Sequence, residues 1–270
     1  MHIVREALRF TTWLAPGLPE GLFAAIASHV ATGLGYDHIL TVEPTTSGPI
    51  RAEDDVFAAG LTHIGFVCPP SYLWLSGTEV GSVVLIPRAP VHDDPRAQGR
   101  PVYFSDLVVR SGAPIRTFAD LGGKRVGFND RSSLSGYLSI LSRLAADGLD
   151  PGFFGEFRHA GSHREALDRI ADGELDAAAI DGNVWRAWSR EHPDRRGELR
   201  SIAPLGPFPV QPLVVRADAA PQLLAPIAAL LDEPTLRDSL RPFGIKGFAP
   251  VTSADYEALR PALDLAATLQ

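Results

Sequence analysis

The chain has 270 residues, a formal net charge of −7 and 45% hydrophobic residues. This negative balance excludes a protein that binds nucleic acid through an overall positive field, because phosphate backbones are bound by an excess of Lys and Arg. A single cysteine, Cys68, excludes an internal disulfide and leaves the redox compartment open. No apolar run approaches the ~18 residues of a transmembrane helix, so direct membrane insertion is not expected.

Short β runs alternate with amphipathic helical segments, which predicts an α/β fold with largely parallel sheets. The predicted strands are Ala7–Thr12, Ile39–Val42, Thr62–Val67, Val80–Pro87, Tyr103–Val109, Arg125–Phe128, Leu175–Ile180 and Val214–Arg216. The predicted helices run from Leu22 to Val30, over Asp54–Ala59, from Leu134 to Leu144 and from Ser162 to Gly173, followed by two C-terminal helical stretches.

Two extended segments divide this pattern into two lobes. One lobe is predicted to comprise residues 1–107 with 205–270, and the other residues 108–204, inserted in the middle. The connections are expected near Ser105–Arg110 and in the proline-rich stretch Ala203–Pro209. Two strands that join two α/β lobes form a hinge, which allows the lobes to close over a ligand.

The segment most informative about function is the polar turn between the strand Arg125–Phe128 and the next helix. The first N–H groups of a helix have no partner within it, and the helix dipole places partial positive charge there. Ser133 and Ser135 add hydroxyl donors, and Gly136 keeps the backbone accessible. These features suit a phosphate-like or carboxylate anion. An ordinary N-cap by Ser132 or Ser133 explains the same residues equally well.

Three segments together resemble the phosphonate-family periplasmic binding proteins of ABC transporters. They are the strand and turn from Gly122 to Tyr137, the helix start Ala160–Leu167 and the strand segment Gly173–Asp181. Their order and spacing agree with the family over about residues 105–200, and Gly60–Phe66 with Pro70–Tyr72 gives a fainter match. The resemblance implies a two-lobed type II periplasmic-binding-protein fold, each lobe a mainly parallel sheet flanked by helices and joined by a two-strand hinge.

The resemblance also implies which residues contact a small oxyanion clamped between the lobes. Ser133, Ser135 and the backbone near Gly136 would bind the anion, His163 would add a donor, and Tyr72 would close over it. Trp13 follows the first strand, where it serves either as a cleft wall or as core packing. The complete candidate set is Trp13, Ser47, Tyr72, Ser133, Leu134, Ser135, Gly136, His163, Asp181 and Gln211.

Two positions depart from the family pattern. Leu134 replaces the middle residue of the family's Ser-Thr-Ser trio and removes one hydroxyl donor. Gln211 stands where aminophosphonate binders place a carboxylate for the ligand's ammonium group, which argues against 2-aminoethylphosphonate. Asp181, at the end of a strand, remains able to pair with a cation.

The resemblance implies a non-enzymatic, monomeric solute-binding protein that delivers a phosphonate, phosphite or phosphate-ester-like ligand to an ABC permease. No cofactor and no metal site are expected: His159 and His163 have a zinc-like spacing, but Gly161 and Ser162 separate them at a helix start. A cytosolic enzyme on the same fold, with His163 or Asp181 as acid or base, and a ligand sensor are the alternatives. The N-terminal sequence lacks the features of a secretory signal, so the predicted location is periplasmic if a signal was removed and cytoplasmic otherwise.

Overall fold

The computed structural model describes residues 6–15, 17–77 and 81–270. In chain order the strands are β1 Ala7–Thr12, β2 Asp37–Val42, β3 Ile64–Phe66, β4 Val83–Leu85, β5 Arg88–His92, β6 Val102–Arg110, β7 Arg125–Phe128, β8 Glu156–His159, β9 Ala177–Asp181, β10 Leu199–Pro209, β11 Leu213–Arg216 and β12 Ile245–Pro250. The α-helices are α1 Glu20–Leu34, α2 Pro69–Gly77, α3 Ser139–Ala146, α4 His163–Ala171, α5 Gly182–Glu191, α6 Ala220–Leu231, α7 Pro234–Leu240, α8 Ser253–Glu257 and α9 Arg260–Ala267.

The described chain forms two compact units. The first comprises the chain up to Val102 together with Pro209–Glu257, and the second comprises Tyr103–Phe208 together with Ala258–Gln270. The sequence analysis predicted that all of residues 205–270 belong to the first lobe. In the structure, α9 packs on α3 and belongs to the second unit. The chain therefore passes between the units at three places, where the sequence predicted two.

The first unit is built on a five-stranded sheet with the order β2-β1-β3-β11-β4. β1 pairs in parallel with β2 and β3, and β11 runs antiparallel to both of its neighbours. Helix α1 covers this sheet because its apolar residues recur every three or four positions, and Phe23 contacts Phe66 edge to face at 5.0 Å. Cys68, just after β3, is buried.

The second unit is built on a sheet with the order β10-β6-β9-β7-β8. β7 pairs in parallel with both β8 and β9, while β6 is antiparallel to β9. All five residues of β9 are buried, as its continuous apolar sequence predicted. The carboxyl ends of β7, β8 and β9 lie at one edge of this sheet, which is where open α/β sheets bind ligands.

The structure differs from the predicted elements at several points. The helix predicted over Asp54–Ala59 is wrong: a single 3₁₀ turn, Ala52–Asp54, is followed by a turn. Asp55 caps this turn, since its carboxylate accepts the N–H groups of Phe57 and Ala58 at 3.0 Å, and the turn ends at Gly60, whose φ is +70°. Strands β5, β8 and β12 were not predicted. Of the predicted strand Val80–Pro87, residues 83–85 form β4, and Val80 lies outside the described residues.

Candidate functional site

One edge of the second unit's sheet brings together the predicted residues of that unit. Ser133 to Gly136 follow β7, His163 follows β8, and Asp181 ends β9. Because these three strands are parallel neighbours, the segments that follow them start side by side. Side chains separated by up to 48 positions in the sequence are thereby collected around one turn.

The turn itself is a π-helical segment, Leu134–Leu138, which continues directly into α3. Ser133 is its N-cap, and its hydroxyl oxygen accepts the N–H of Gly136 at 3.1 Å. The hydroxyls of Ser105 and Ser139 both donate to the carbonyl of Ser135 at 2.7 Å. Single π-helical turns inside helices are rare and are frequent at functional sites. These two bonds fix the backbone of Ser135. The Ser133 hydroxyl acts only as an acceptor in its cap, so its own hydrogen is not used there.

His163 is the buried partner of Ser135. Its Nε2 atom lies 3.1 Å from the Ser135 hydroxyl oxygen, and the imidazole is buried. Burial lowers the pKa of His163 from 6.5 to about 4, although the nearby Asp130 carboxylate acts in the opposite direction. The ring is therefore neutral at pH 7. If Nε2 carries the hydrogen, His163 donates to Ser135 and leaves the serine hydroxyl hydrogen for a bound oxygen.

This low pKa predicts an acid-dependent loss of stability. The unfolded chain has an ordinary histidine near 6.5 and binds more protons than the folded chain between pH 6.5 and about 4. As the pH falls from 6.5 to about 4, this difference lowers the free energy of unfolding by up to about 1.4 kcal/mol per pH unit. Above pH 6.5 His163 makes no pH-dependent contribution. We expect His163→Gln to remove this component in urea unfolding at pH 7.5, 5.5 and 4.5. An unchanged slope in His163→Gln would contradict the burial of this imidazole.

Gly136 lies where no side chain fits. A Cβ atom at this position would be 1.8 Å from Oδ1 of Asn129 and 2.9 Å from Cε1 of His163. Asn129 is itself buried, and its amide nitrogen donates to Asp130 at 2.9 Å. The glycine therefore allows the Asn129 and His163 side chains to approach the turn. Leu134 is almost completely buried and contributes packing without a polar group.

The carboxyl end of β9 carries Asp181, as predicted, and one residue that the sequence analysis missed, Asn183. Asp181 is the N-cap of α5, and its carboxylate accepts the Asn183 N–H at 2.7 Å. Arg186 donates to the side-chain oxygen of Asn183 at 2.6 Å, which fixes the orientation of that amide. The amide nitrogen of Asn183 is then a buried donor without a hydrogen-bond partner among the described residues. Its position three residues beyond the predicted strand end, Ile180, was the available signal.

The predicted residues of the first unit lie at one edge of its own sheet. Trp13 follows β1, Tyr72 lies in α2 directly after β3, and Gln211 precedes the antiparallel β11. Trp13 is buried with its ring 6.0 Å from that of Phe57. Ser47 is buried, and its carbonyl accepts the Cys68 N–H at 3.0 Å.

Tyr72 and Gln211 are buried in the first unit. The Tyr72 hydroxyl donates to Ser253 at 3.1 Å, and its ring contacts Tyr256 edge to face at 5.1 Å. Gln211 is 6% exposed. The structure thus places the predicted residues in two groups, one in each unit, each at one edge of its sheet.

Neither a metal cluster nor a membrane span is found in the described part of the chain. No group of three or more His, Cys, Asp or Glu residues there is arranged to bind a metal ion. His159 ends β8 and His163 begins α4, so the two histidines belong to different elements. Among the described helices, none combines the length and apolar character needed to cross a bilayer.

Comparison with known proteins adds a family and a fold. A family model described as "ABC transporter, phosphonate, periplasmic substrate-binding protein" matches residues 20–256. A binding protein component of an ABC phosphonate transporter from Pseudomonas aeruginosa is similar, with a TM-score of 0.82 and 16% identity over 97% of this chain and 87% of that one. PhnD1 from Prochlorococcus marinus, solved with methylphosphonate, gives a TM-score of 0.78 at 15% identity over 95% of this chain and 97% of that one.

A more distant structural neighbour binds a different oxyanion. The periplasmic aliphatic sulphonate binding protein SsuA from Escherichia coli has a TM-score of 0.60 and 16% identity, covering 97% of this chain and 87% of that one. At such identities these likenesses show the fold alone, a two-lobed type II periplasmic-binding-protein fold, which confirms the fold predicted from the sequence.

Proposed function

Because the chain belongs to the family of periplasmic substrate-binding proteins of phosphonate ABC transporters, we propose that it binds a small phosphorus oxyanion on the turn Ser133–Gly136. The family is a transport family and not an enzyme family, and it is periplasmic, which implies an extracytoplasmic location. Phosphonates, phosphite and phosphate esters share a tetrahedral anionic head, which such a turn suits. The ABC permease is the partner that receives the ligand, and the binding protein acts as a monomer.

The observation that carries the proposal is the hydrogen-bonded group of Ser133, Ser135 and His163. The Ser133 hydroxyl accepts from Gly136 and keeps its own hydrogen for a ligand oxygen. When the hydrogen of neutral His163 is on Nε2, the imidazole donates to the Ser135 hydroxyl oxygen, and the Ser135 hydroxyl hydrogen is also left for the ligand. None of the three carries a positive charge, so the anion is stabilised by fixed hydroxyl and helix N–H dipoles.

Selectivity follows from the fixed donors. A buried donor or acceptor left without its partner costs about 1–3 kcal/mol, so an ion of the wrong shape or protonation state binds less well. Asp181 offers an acceptor for a ligand hydroxyl, while the amide nitrogen of Asn183 offers a donor. Trp13, Ser47, Tyr72 and Gln211 of the first unit stay predicted ligand contacts.

Thermal shift with defined ligands tests this function. Methylphosphonate, phosphite and phosphate should raise the midpoint of thermal unfolding, by the equivalent of about 2.7 kcal/mol at 100 times the dissociation constant. Acetate and methanesulfonate at the same concentrations serve as controls for a general anion effect. Equal shifts for all five anions, or none for any phosphorus oxyanion, would contradict the proposal.

The Asn183 donor gives a second, more specific prediction. Asn183→Asp keeps the size of the side chain and replaces its donor with a negative charge. We expect the affinity for methylphosphonate to fall by about 10-fold or more, the cost of a lost hydrogen bond to a charged group. The affinity for 2-aminoethylphosphonate should fall less, because the new carboxylate pairs with the ammonium group. Calorimetric titration of both ligands measures the ratio, and an unchanged ratio would exclude Asn183 from the ligand contacts.

A further inference from the structure

A cavity lies in the first unit, at the edge of its sheet opposite to Trp13 and Tyr72. It adjoins the residues that precede β3 and β4 and the end of the antiparallel β11, where Arg216 pairs with Val83. From His63 to Val67, across β3, the chain advances about 13 Å at roughly 3.3 Å per residue. The cavity therefore lies at the opposite end of β3 from Trp13, although Phe57, which lines the cavity, has its ring 6.0 Å from that of Trp13.

The cavity combines apolar walls with a cationic group. Its volume is about 930 Å³, it opens to the surface, and its apolar lining includes the buried Phe57 and the half-buried Trp74. Gly60 and Gly81 line it without side chains and leave room. Pockets of a few hundred to about 1,000 Å³ with mostly apolar walls and a few polar groups are typical small-molecule sites.

Arg216 supplies the charge. Its side chain is 20% exposed, and its Nε atom donates to Asp218 at 2.5 Å. Within the described chain, neither terminal nitrogen of this guanidinium makes a hydrogen bond, so the edge formed by its two terminal nitrogens is available to a ligand. Asp55, the other acid in the lining, is committed to the backbone N–H groups of Phe57 and Ala58. The free edge of a guanidinium binds a carboxylate through two parallel hydrogen bonds.

We propose that this cavity is a second binding site, for a small carboxylate with an aromatic or branched apolar body. The carboxylate pairs with the free edge of Arg216, and the apolar body lies against Trp74 and Phe57. All lining residues belong to the first unit, so we expect carboxylate binding that does not require a phosphonate on the turn of the second unit.

Calorimetric titration with 3-phenylpropionate, and with 3-phenylpropan-1-ol as the uncharged analogue, tests the site. We expect saturable binding of one carboxylate per chain and at least 10-fold weaker binding of the alcohol. Arg216→Met should weaken carboxylate binding by about 10-fold or more, as expected for lost hydrogen bonds to a charged group. Arg88→Met is the matched control, because Arg88 also donates through Nε to an aspartate, Asp232, and lies outside the cavity lining.

Two further variants distinguish binding in this cavity from a folding defect and from binding at the oxyanion turn. Ala58→Trp, at an exposed position of the lining, fills the cavity without altering Arg216 and should abolish binding even if Arg216→Met folds poorly. The double variant Ser133→Ala/Ser135→Ala should bind 3-phenylpropionate as the wild type does. Absence of saturable binding to the wild type, binding that survives both Arg216→Met and Ala58→Trp, or loss in the serine double variant would overturn the proposal.

Discussion

Replacement of both Ser133 and Ser135 by alanine is expected to weaken methylphosphonate binding by about 10²- to 10⁴-fold. Each hydroxyl hydrogen bond to a charged group contributes about 1.5–3 kcal/mol, and a factor of ten in affinity corresponds to about 1.4 kcal/mol. Ser135 also loses its contact with His163, which leaves the imidazole without that partner. Isothermal titration calorimetry of the purified variants measures the loss directly.

Two controls separate a ligand contact from a structural role. Ser142→Ala, on α3 beyond the turn, removes a serine hydroxyl from the same helix and should leave affinity within about twofold of wild type. Ser133→Asp and Ser133→Asn both retain an N-capping oxygen for Gly136. The aspartate places a negative charge at the site and should abolish binding, whereas the asparagine should retain part of it. Similar affinities for the two variants would contradict an anion at this cap.

Substitution of Gly136 by alanine is expected to disrupt both the turn and the binding site. The added methyl group would overlap Oδ1 of Asn129 and press on the ring of His163, so these groups must move. Overpacking of this kind costs typically about 1–3 kcal/mol. Because His163 is displaced from Ser135, affinity for methylphosphonate should fall by at least about 10-fold even where the variant is folded.

Gly112→Ala is the matched control for this substitution. Gly112 belongs to the same unit, and a Cβ atom there would meet nothing within 4 Å. Its urea unfolding midpoint and its affinity should equal those of the wild type. If Gly136→Ala unfolds at the wild-type midpoint and binds methylphosphonate normally, the close packing around the turn is not required for binding.

Local sequence signals predicted the elements that carry the site. β1 and β7 have the predicted bounds, because each is a short segment of strand-forming residues that a turn follows directly. The Ser162 cap of α4 is present, with its hydroxyl accepting the Glu165 N–H at 3.1 Å. Such signals depend on neighbours within a few residues, so they are readable without the fold.

Features that depend on distant residues were not predictable in this way. The π-helical form of Leu134–Leu138 is accompanied by a hydrogen bond from Ser105, on β6, to the carbonyl of Ser135, thirty residues away. The missed donor Asn183 is recognisable only once Arg186 fixes its amide. The C-terminal helix α9 packs on α3, a tertiary contact that the helical periodicity of its own sequence does not encode.

A crystal structure of the protein with methylphosphonate shows directly whether the turn Ser133–Gly136 binds the ligand. We expect phosphonate oxygens within about 3 Å of the hydroxyl oxygens of Ser133 and Ser135, the usual distance for such hydrogen bonds. A ligand bound elsewhere, with both hydroxyls directed only at protein groups, would contradict it.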